Sequence, residues 1–233
     1  MTIECFDSYD ALSNRAADVI AETTRGNSEA HLCLATGASP LGAYREVGRR
    51  VTGKELNSSR LQITKLDEWL GIPMSHPSTC ETFLRSEVLV PWQVADERYL
   101  SFDANLPESG VECARVEKAL EALPPFDLCV LGIGANGHLG LNEPATELQV
   151  EAHVASLAES TRNHPMLCAT KLEQGMTLGI GRIMASQRIL LLVVGESKSE
   201  AWKKLLEPVV TTNLPASLLH LHPDVICLSM LPV

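Results

Sequence analysis

Short runs of aliphatic and β-branched residues recur along the chain, and segments with helical periodicity separate them. Runs of this length, bounded by turn residues, predict buried strands at 31–36, 61–66, 126–132, 188–194 and 225–230. Helical spacing predicts helices near 8–24, 40–51, 78–90, 109–123 and 197–206. Strands that alternate with helices predict an α/β fold with a mainly parallel, twisted sheet and helices on both faces.

The composition fits one domain and excludes several partners. A chain of 233 residues with 45% hydrophobic content can bury a substantial core, so we expect a single domain over 1–233. The net charge of −10 and the scattered basic residues argue against nucleic acid and anionic membranes as partners. No apolar run approaches the roughly 20 residues that span a bilayer, and the N-terminus has no secretory pattern. We therefore expect a cytoplasmic protein.

Cysteine and histidine spacing gives little support for a metal site. The seven cysteines lie far apart without a CxxC pair, which favours buried thiols in a reducing compartment. His220 and His222 could share one strand face and hold a metal. Packing or capping beside Pro223 is the interpretation that we favour, so we expect no metal.

Ligands of open α/β sheets bind beyond the carboxyl ends of the strands, which makes the polar residues after each run the candidates for a site. After the first run come Thr36, Gly37, Ala38 and Ser39, small residues that let a backbone approach a ligand. Ser39 and Pro40 also predict the start of a helix, whose N–H groups favour anions. The segment predicts an anion site, although ordinary helix capping would look the same.

Asp67 and Glu68 follow the second run. Two adjacent carboxylates can simply lie on an exposed turn and keep it soluble. A partly desolvated carboxylate at a strand end can instead act as a general base, because desolvation raises its pKa toward neutral pH. Both interpretations stay open from the residues alone.

A glycine-rich loop follows the third run and contains the formal pattern GxGxxG at Gly132, Gly134 and Gly137. We reject a dinucleotide site, because that site needs a long helix after the glycines and Pro144 arrives seven residues after the third one. A tight loop would instead let His138 meet Glu143. An imidazole held by a carboxylate has a fixed tautomer and exchanges protons near neutral pH.

Two cations occupy comparable positions: Arg162, and Lys198 just after a strand in the sequence Gly195-Glu-Ser-Lys198. Surface solvation is the usual fate of such residues, but a phosphate requires partners of this kind. Weak periodicity over 142–175 predicts loops and short elements, with a lid as one hypothesis.

With these features the chain resembles the glucosamine-6-phosphate deaminase/isomerase family, and more closely its galactosamine-6-phosphate branch. Six motifs in order carry the resemblance: LATGASP (34–40), KLDEW (65–69), STCETFL (78–84), DLCVLGIGANGHLGLNEPA (127–145), ESTR (159–162) and GESK (195–198). Trp69, in place of a tyrosine of the glucosamine branch, and the TCETF sequence point to the galactosamine branch.

The resemblance implies a Rossmann-like fold of the sugar-phosphate isomerase type and a cofactor-free enzyme. It implies that galactosamine 6-phosphate and water give tagatose 6-phosphate and ammonia, or that glucosamine 6-phosphate gives fructose 6-phosphate and ammonia. It also implies roles for the residues that match the motifs. The phosphate site would consist of Thr36, Gly37, Ala38, Ser39, Arg162 and Lys198. Asp67 would be the general base, and His138 with its partner Glu143 would open the sugar ring. Glu68 and Gly137 would be further pocket residues.

One departure concerns the histidine. Asn136 stands where the best-known glucosamine enzymes have an aspartate, which leaves Glu143 as the expected carboxylate partner of His138. The oligomeric state is left open.

Two rivals share the architecture. A 6-phosphogluconolactonase would have Asp-Glu-Arg where this chain has Asp67-Glu68-Trp69, and would lack Asn-Glu-Pro after the histidine. A sugar-phosphate-sensing domain of a transcriptional regulator would need a helix-turn-helix. Only about 30 residues precede the first predicted strand, and the chain is acidic.

Overall fold

The aliphatic runs form strands of a parallel sheet in this computed structural model, which describes residues 1–162 and 172–233. The strands in chain order are β1 (Thr2–Cys5), β2 (His31–Leu34), β3 (Gln62–Lys65), β4 (Asp67–Trp69), β5 (Tyr99–Leu100), β6 (Leu128–Gly132), β7 (His153–Ser156), β8 (Gln174–Thr177), β9 (Ile189–Val193) and β10 (Val225–Ser229). Seven of them make one sheet in the order β1-β10-β9-β6-β2-β3-β5, with every neighbouring pair parallel. The five predicted strands are its five central members, which confirms the fold class.

The helices cover both faces of this sheet. They are α1 (Tyr9–Gly26), α2 (Ala38–Thr52), α3 (Cys80–Leu84), α4 (Ser109–Glu121), α5 (Glu159–Arg162), α6 (Ile180–Met184) and α7 (Ser199–Leu206). Alternate strand residues point to opposite faces, so one hydrophobic cluster joins the sheet to α1 and α2 and another joins it to α4, α6 and α7. None of the helices that the structure describes is long and apolar enough to cross a membrane.

Two local expectations need correction. The predicted helix near 40–51 begins earlier, because Gly37 rather than Ser39 is the N-cap of α2. The predicted helix near 78–90 is capped by Thr79 and changes from α3 to a single π-helical turn at Arg85–Leu89.

The sequence did not predict a second, antiparallel sheet in the order β4-β8-β7. Asp67 in β4 lies opposite Thr177 in β8. Part of the expected lid at 142–175 therefore belongs to this sheet and to α5. Residues 163–171 of that segment lie outside the described residues, and the lid stays a prediction.

The order of the large sheet reverses between β6 and β2, which are neighbours although distant in sequence. The chain adds β3 and β5 on one side of this pair and β9 and β10 on the other. Such a switch point opens a crevice beyond the carboxyl ends of the strands. The loops after β2, β3, β6 and β9 all emerge there.

A buried ion cluster fixes the turn from β3 into β4. The Lys65 ammonium is fully buried and donates to Glu68 at 2.7 Å, to Glu81 at 2.9 Å and to the carbonyl of Phe102 at 3.0 Å. Burial alone lowers the pKa of Lys65, but the two carboxylates raise it above its ordinary value. The lysine therefore stays charged inside the protein.

Glu68 also holds the start of α3. Its carboxylate accepts the backbone N–H groups of Trp69 at 2.9 Å, Cys80 at 3.0 Å and Glu81 at 2.8 Å. A carboxylate at a helix N-terminus satisfies donors that have no partner within the helix. β3, β4 and α3 are thereby locked together.

Removing the central charge of this cluster should destabilise the fold strongly. Lys65→Met leaves two buried carboxylates without a counter-ion, and we expect a loss of about 3–5 kcal/mol in the free energy of unfolding. Urea unfolding followed by circular dichroism measures it. Lys203→Met is the matched control, because its side chain is 72% exposed and its ion pair should contribute little. A loss below about 1 kcal/mol in Lys65→Met would show that the cluster does not hold β3 and β4.

Candidate active site

A cavity of about 260 Å³ lies at the switch point, beyond the carboxyl ends of β2, β3, β6 and β9. We call it the strand-end cavity. It brings together seven residues that the sequence singled out: Thr36, Gly37, Ala38, Ser39, Asp67, His138 and Lys198. Its other polar lining side chains are Trp69, Thr161 and Ser197.

One end of the cavity is suited to an anion. Gly37 has a φ of +108°, which only glycine adopts without strain, and α2 begins directly after it. The first N–H groups of α2 therefore lie at the cavity wall, where they favour negative charge.

Lys198 lines the same cavity from the segment between β9 and α7. No carboxylate of the described residues lies within 4.0 Å of its ammonium, and burial lowers the pKa of Lys198. A half-buried cation without a carboxylate partner among the described residues, in the same cavity as a helix N-terminus, is a suitable partner for a phosphate group.

Asp67 occupies the cavity wall at the start of β4 and is 9% exposed. Burial raises the pKa of its carboxyl to about 6, and the neighbouring charge of Glu68 adds to the rise. A hydrogen bond from Cys80 and the charges of His138 and Lys65 oppose it. A carboxylate with this pKa can accept and release a proton near neutral pH.

The other side of the cavity holds His138. Its Nδ1 lies 2.8 Å from Oδ1 of Asn136 and 3.3 Å from both Oε2 of Glu143 and Oγ1 of Thr161. Asn136 donates its Nδ2 to Glu143 at 2.7 Å. The expected pairing of His138 with Glu143 is therefore present, with Asn136 as a closer partner that bridges the two.

Glu143 remains ionised in this arrangement. Burial raises its pKa, but hydrogen bonds from His138, Thr161 and Asn136 together with the histidine's charge lower it to about 2. A permanent negative charge thus lies behind the imidazole, which lines the cavity.

Glycines at two points of the loop after β6 make this packing possible. A Cβ on Gly134 would overlap the His138 ring. Gly137 has a φ of +89°, and a Cβ there would overlap the side chain of Leu214. Residues 133–152 contain no helix, which agrees with the rejection of a dinucleotide site.

Three residues expected in the pocket, Glu68, Gly137 and Arg162, do not line the cavity. Gly137 lies against Leu214 at the turn of the loop after β6. Glu68 is fully buried in the ion cluster because alternate residues of β4 face opposite sides, so Asp67 and Trp69 point to the cavity and Glu68 does not. Arg162 is exposed at the end of α5, outside the lining. Its role in phosphate binding stays a prediction.

The two C-terminal histidines have other partners. Nε2 of His220 contacts the carbonyl of Leu205 at 2.8 Å, and Nε2 of His222 contacts that of Ser186 at 2.8 Å. Both rings thus contact backbone carbonyls near the C-terminal ends of α7 and α6. The described residues contain no group of three His, Cys, Asp or Glu side chains that could hold a metal ion.

Comparison with known proteins shows the family of this chain. A family model described as glucosamine-6-phosphate isomerases/6-phosphogluconolactonase matches residues 7–227. The chain belongs to this family.

Relatives in the glucosamine-6-phosphate isomerase/6-phosphogluconolactonase family cover nearly the whole chain. AgaI of Escherichia coli (strain K12), provisionally named as a deaminase, is 39% identical over 97% of this chain and 91% of its own length. Glucosamine-6-phosphate deaminase 1 of Bacillus subtilis (strain 168) is 35% identical over 96% of this chain and 93% of its own. These relatives support the conclusion that this chain is an enzyme.

Solved structures agree with the family assignment. That of a monomeric glucosamine-6-phosphate deaminase superposes with a TM-score of 0.93 at 35% identity, covering 98% of this chain and 97% of the other. A 6-phosphogluconolactonase from Shewanella baltica OS155 superposes with a TM-score of 0.78 at 22% identity, covering 98% and 97%, and shares the fold.

Two contributors to the site of this family member were missed from the sequence. Thr161 donates to Oε1 of Glu143 and lines the cavity, and Cys80 contacts Asp67. They lie within the motifs ESTR and STCETFL, where the charged or capping residues are the more conspicuous ones. Only the three-dimensional contacts distinguish them from ordinary helix residues.

The raised pKa of Asp67 predicts that this residue destabilises the fold at neutral pH. The folded state binds its proton more tightly than the unfolded chain, with a pKa of about 6 against 3.8. Its stabilising contribution is therefore complete below pH 3.8 and is lost as the pH rises through 6.

The asparagine side chain of Asp67→Asn carries no charge at any pH, so we expect this variant to have a higher free energy of unfolding than the wild type at pH 7.5. The gain should be about 1–3 kcal/mol, at 1.36 kcal/mol for each pKa unit, and should shrink below about pH 5. Urea unfolding at pH 7.5 and at a pH below 5 checks this. Asp96→Asn, at a side chain 76% exposed, is the control and should change little. A gain that is equal at both pH values would exclude desolvation of Asp67 as its source.

Proposed function

We propose that this enzyme isomerises and deaminates a hexosamine 6-phosphate. The single observation that supports this most is the strand-end cavity, which combines a desolvated carboxylate, a tautomer-fixed imidazole and an anion site. We propose galactosamine 6-phosphate as the preferred substrate, giving tagatose 6-phosphate and ammonia. Trp69 and the TCETF sequence support this substrate preference, and glucosamine 6-phosphate is the alternative substrate.

The phosphate would bind at the N-terminus of α2, between residues 36–39 and Lys198. Fixing this non-reacting end uses its binding energy to hold C1 and C2 of the sugar in register with the catalytic side chains. Arg162 would approach from α5, at the rim of the same region.

Ring opening would use His138. Opening the pyranose requires loss of the proton from the C1 hydroxyl and protonation of the ring oxygen. The Nδ1–H of His138 is engaged with Asn136, so Nε2 is the atom that can accept the first proton and deliver it to the ring oxygen.

Isomerisation would use Asp67. The carboxylate removes the proton from C2 of the open-chain amino aldose while O1 of the aldehyde takes up a proton, which gives an enolamine. The enolamine accepts the proton from Asp67 at C1 and becomes a 2-iminium ion. Addition of water at C2, with loss of a proton and of the nitrogen as ammonia, yields the ketose phosphate. A pKa of about 6 leaves Asp67 ionised at neutral pH and able to return the proton.

The first test is ammonia release from galactosamine 6-phosphate and glucosamine 6-phosphate, measured side by side with EDTA present. We expect turnover of both, faster for the galactosamine compound, and a fall in kcat/KM as the pH decreases below about 6, where Asp67 is protonated.

Asp67→Asn should reduce kcat by at least about 10³-fold while substrate binding persists, because the loss lies in the transition state. Near-normal turnover in this variant would remove Asp67 from the mechanism. Hydrolysis of 6-phosphogluconolactone without ammonia release from either amino sugar would support the lactonase instead.

Lys198 provides a separate test of the phosphate end. Lys198→Ala should raise KM about 10-fold or more, with a smaller fall in kcat, because a contact to a non-reacting group contributes mainly to binding. Lys203→Ala is the control, since that side chain is 72% exposed on α7. An unchanged KM in Lys198→Ala would show that the phosphate group of the substrate does not bind at Lys198.

A further inference from the structure

A cysteine thiol links the anion loop to the carboxylate proposed as general base. Sγ of Cys80 lies 3.5 Å from Oδ1 of Asp67, and Oγ1 of Thr36 donates to the same sulfur at 3.2 Å. Among the described residues, Cys80 is the one side chain that makes a hydrogen bond to the Asp67 carboxylate. Asp67 lines the cavity, and no side chain of the described residues makes a hydrogen bond to its other oxygen, Oδ2.

The direction of these hydrogen bonds follows from chemistry. Burial raises the pKa of the Cys80 thiol well above its ordinary value, so the sulfur keeps its proton. A thiol then donates its S–H to the carboxylate, and its lone pairs accept the Thr36 hydroxyl. Thr36 thus orients Cys80, and Cys80 orients Asp67.

The position of the sulfur is set by the backbone rather than by its own contacts. The N–H of Cys80 donates to Oε1 of Glu68 at 3.0 Å, in the first turn of α3 behind the N-cap Thr79. Changes to the side chain should therefore leave this backbone anchored. That makes side-chain substitution a clean probe of the thiol.

We propose that Cys80 is a positioning residue for the reaction: its thiol holds Oδ1 of Asp67 so that Oδ2 faces C2 of the substrate. This inference rests on the proposed function for the identity of the reacting carbon. It adds a residue, and a role for a thiol, that the proposed mechanism does not require.

The chemistry of sulfur suits this role. A serine hydroxyl or a backbone N–H is a stronger donor, and stronger donation to the ionised form would make the carboxylate a weaker base. A thiol is a weak donor, so it restricts the orientation of the carboxylate with little loss of basicity. No donor at all would leave both oxygens free to rotate.

Other charged or titratable groups also interact with Asp67 and must stay constant in any test. They are Lys65, Glu68, His138, Cys33 and Tyr44. Substitution of the Cys80 side chain removes none of them. A change in the titration of Asp67 can then be assigned to the lost S–H donor.

The experiment compares Cys80→Ala and Cys80→Ser with the wild type, and uses Cys113→Ala as a control for loss of a buried thiol on α4. The Asp67 carboxyl carbon is titrated by ¹³C NMR in protein labelled at aspartate, with Asp67→Asn identifying its signal. This measurement needs no substrate. Steady-state kinetics with the hexosamine 6-phosphates then use the same proteins.

We expect the titration midpoint of Asp67 to move to higher pH by roughly half a pH unit in Cys80→Ala, since a lost hydrogen bond to the charged form disfavours that form. It should move to lower pH or stay in Cys80→Ser, and stay in Cys113→Ala. We expect kcat to fall about 10-fold in Cys80→Ala with KM nearly constant, and to recover partly in Cys80→Ser.

An unchanged midpoint in Cys80→Ala would overturn the proposal, and any fall in kcat would then reflect packing alone. A shifted midpoint with unchanged kcat would also overturn it, because the thiol would not position the base. If the wild type releases no ammonia from either amino sugar, the proposed function fails. The NMR titration would still report on the Cys80–Asp67 contact by itself.

Discussion

The site depends on a difference between two adjacent carboxylates. Glu68 points into the protein, where the buried Lys65 ammonium and three backbone N–H groups compensate its charge. Asp67 points to the cavity, where burial outweighs the nearby positive charges and raises its pKa to about 6. The ion cluster that stabilises the first carboxylate also fixes β4 and α3, and thereby holds the second in a poorly solvated position. The carboxylate proposed as general base is thus held in place by a structural one.

A second contrast divides the acid–base roles. The pKa of Asp67 lies near 6, whereas hydrogen bonds and the charge of His138 keep that of Glu143 at about 2 against the effect of burial. Two carboxylates around one cavity are therefore suited to different tasks: one exchanges a proton, and the other remains a fixed charge. The surroundings of each carboxylate, rather than its residue type, determine its pKa and therefore its task. The proposed proton transfer between neighbouring carbons requires such a division.

Periodicity and the positions of strand ends were enough to predict the five central strands of the large sheet, but not its edge strands β1 and β5, and to single out most polar residues of the cavity. The five central strands, the helices on both faces, and the convergence of Thr36, Asp67, His138 and Lys198 all come from rules that depend on neighbouring residues. The antiparallel sheet was missed because β4, β7 and β8 have only three or four residues each and pair across long sequence separations. The placement of Glu68 was missed because β4 was not recognised as a strand, so its alternation was not applied. Cys80 and Thr161 became visible only through contacts that no spacing encodes.

Asn136 shows how a neutral side chain can transmit orientation. Glu143 is an acceptor only, so the amide must present Nδ2 to it and Oδ1 to the imidazole. Oδ1 can accept only from a protonated Nδ1, which leaves Nε2 as the basic atom of the neutral ring. The hydroxyl of Thr161 donates to Glu143 as well, so the same anion sets the direction of every hydrogen bond around it. An aspartate at this position would bring a second negative charge against Nδ1, whereas the asparagine fixes the tautomer and adds no charge to that of Glu143. The network therefore fixes which imidazole nitrogen is free to exchange a proton, as the proposed ring opening requires.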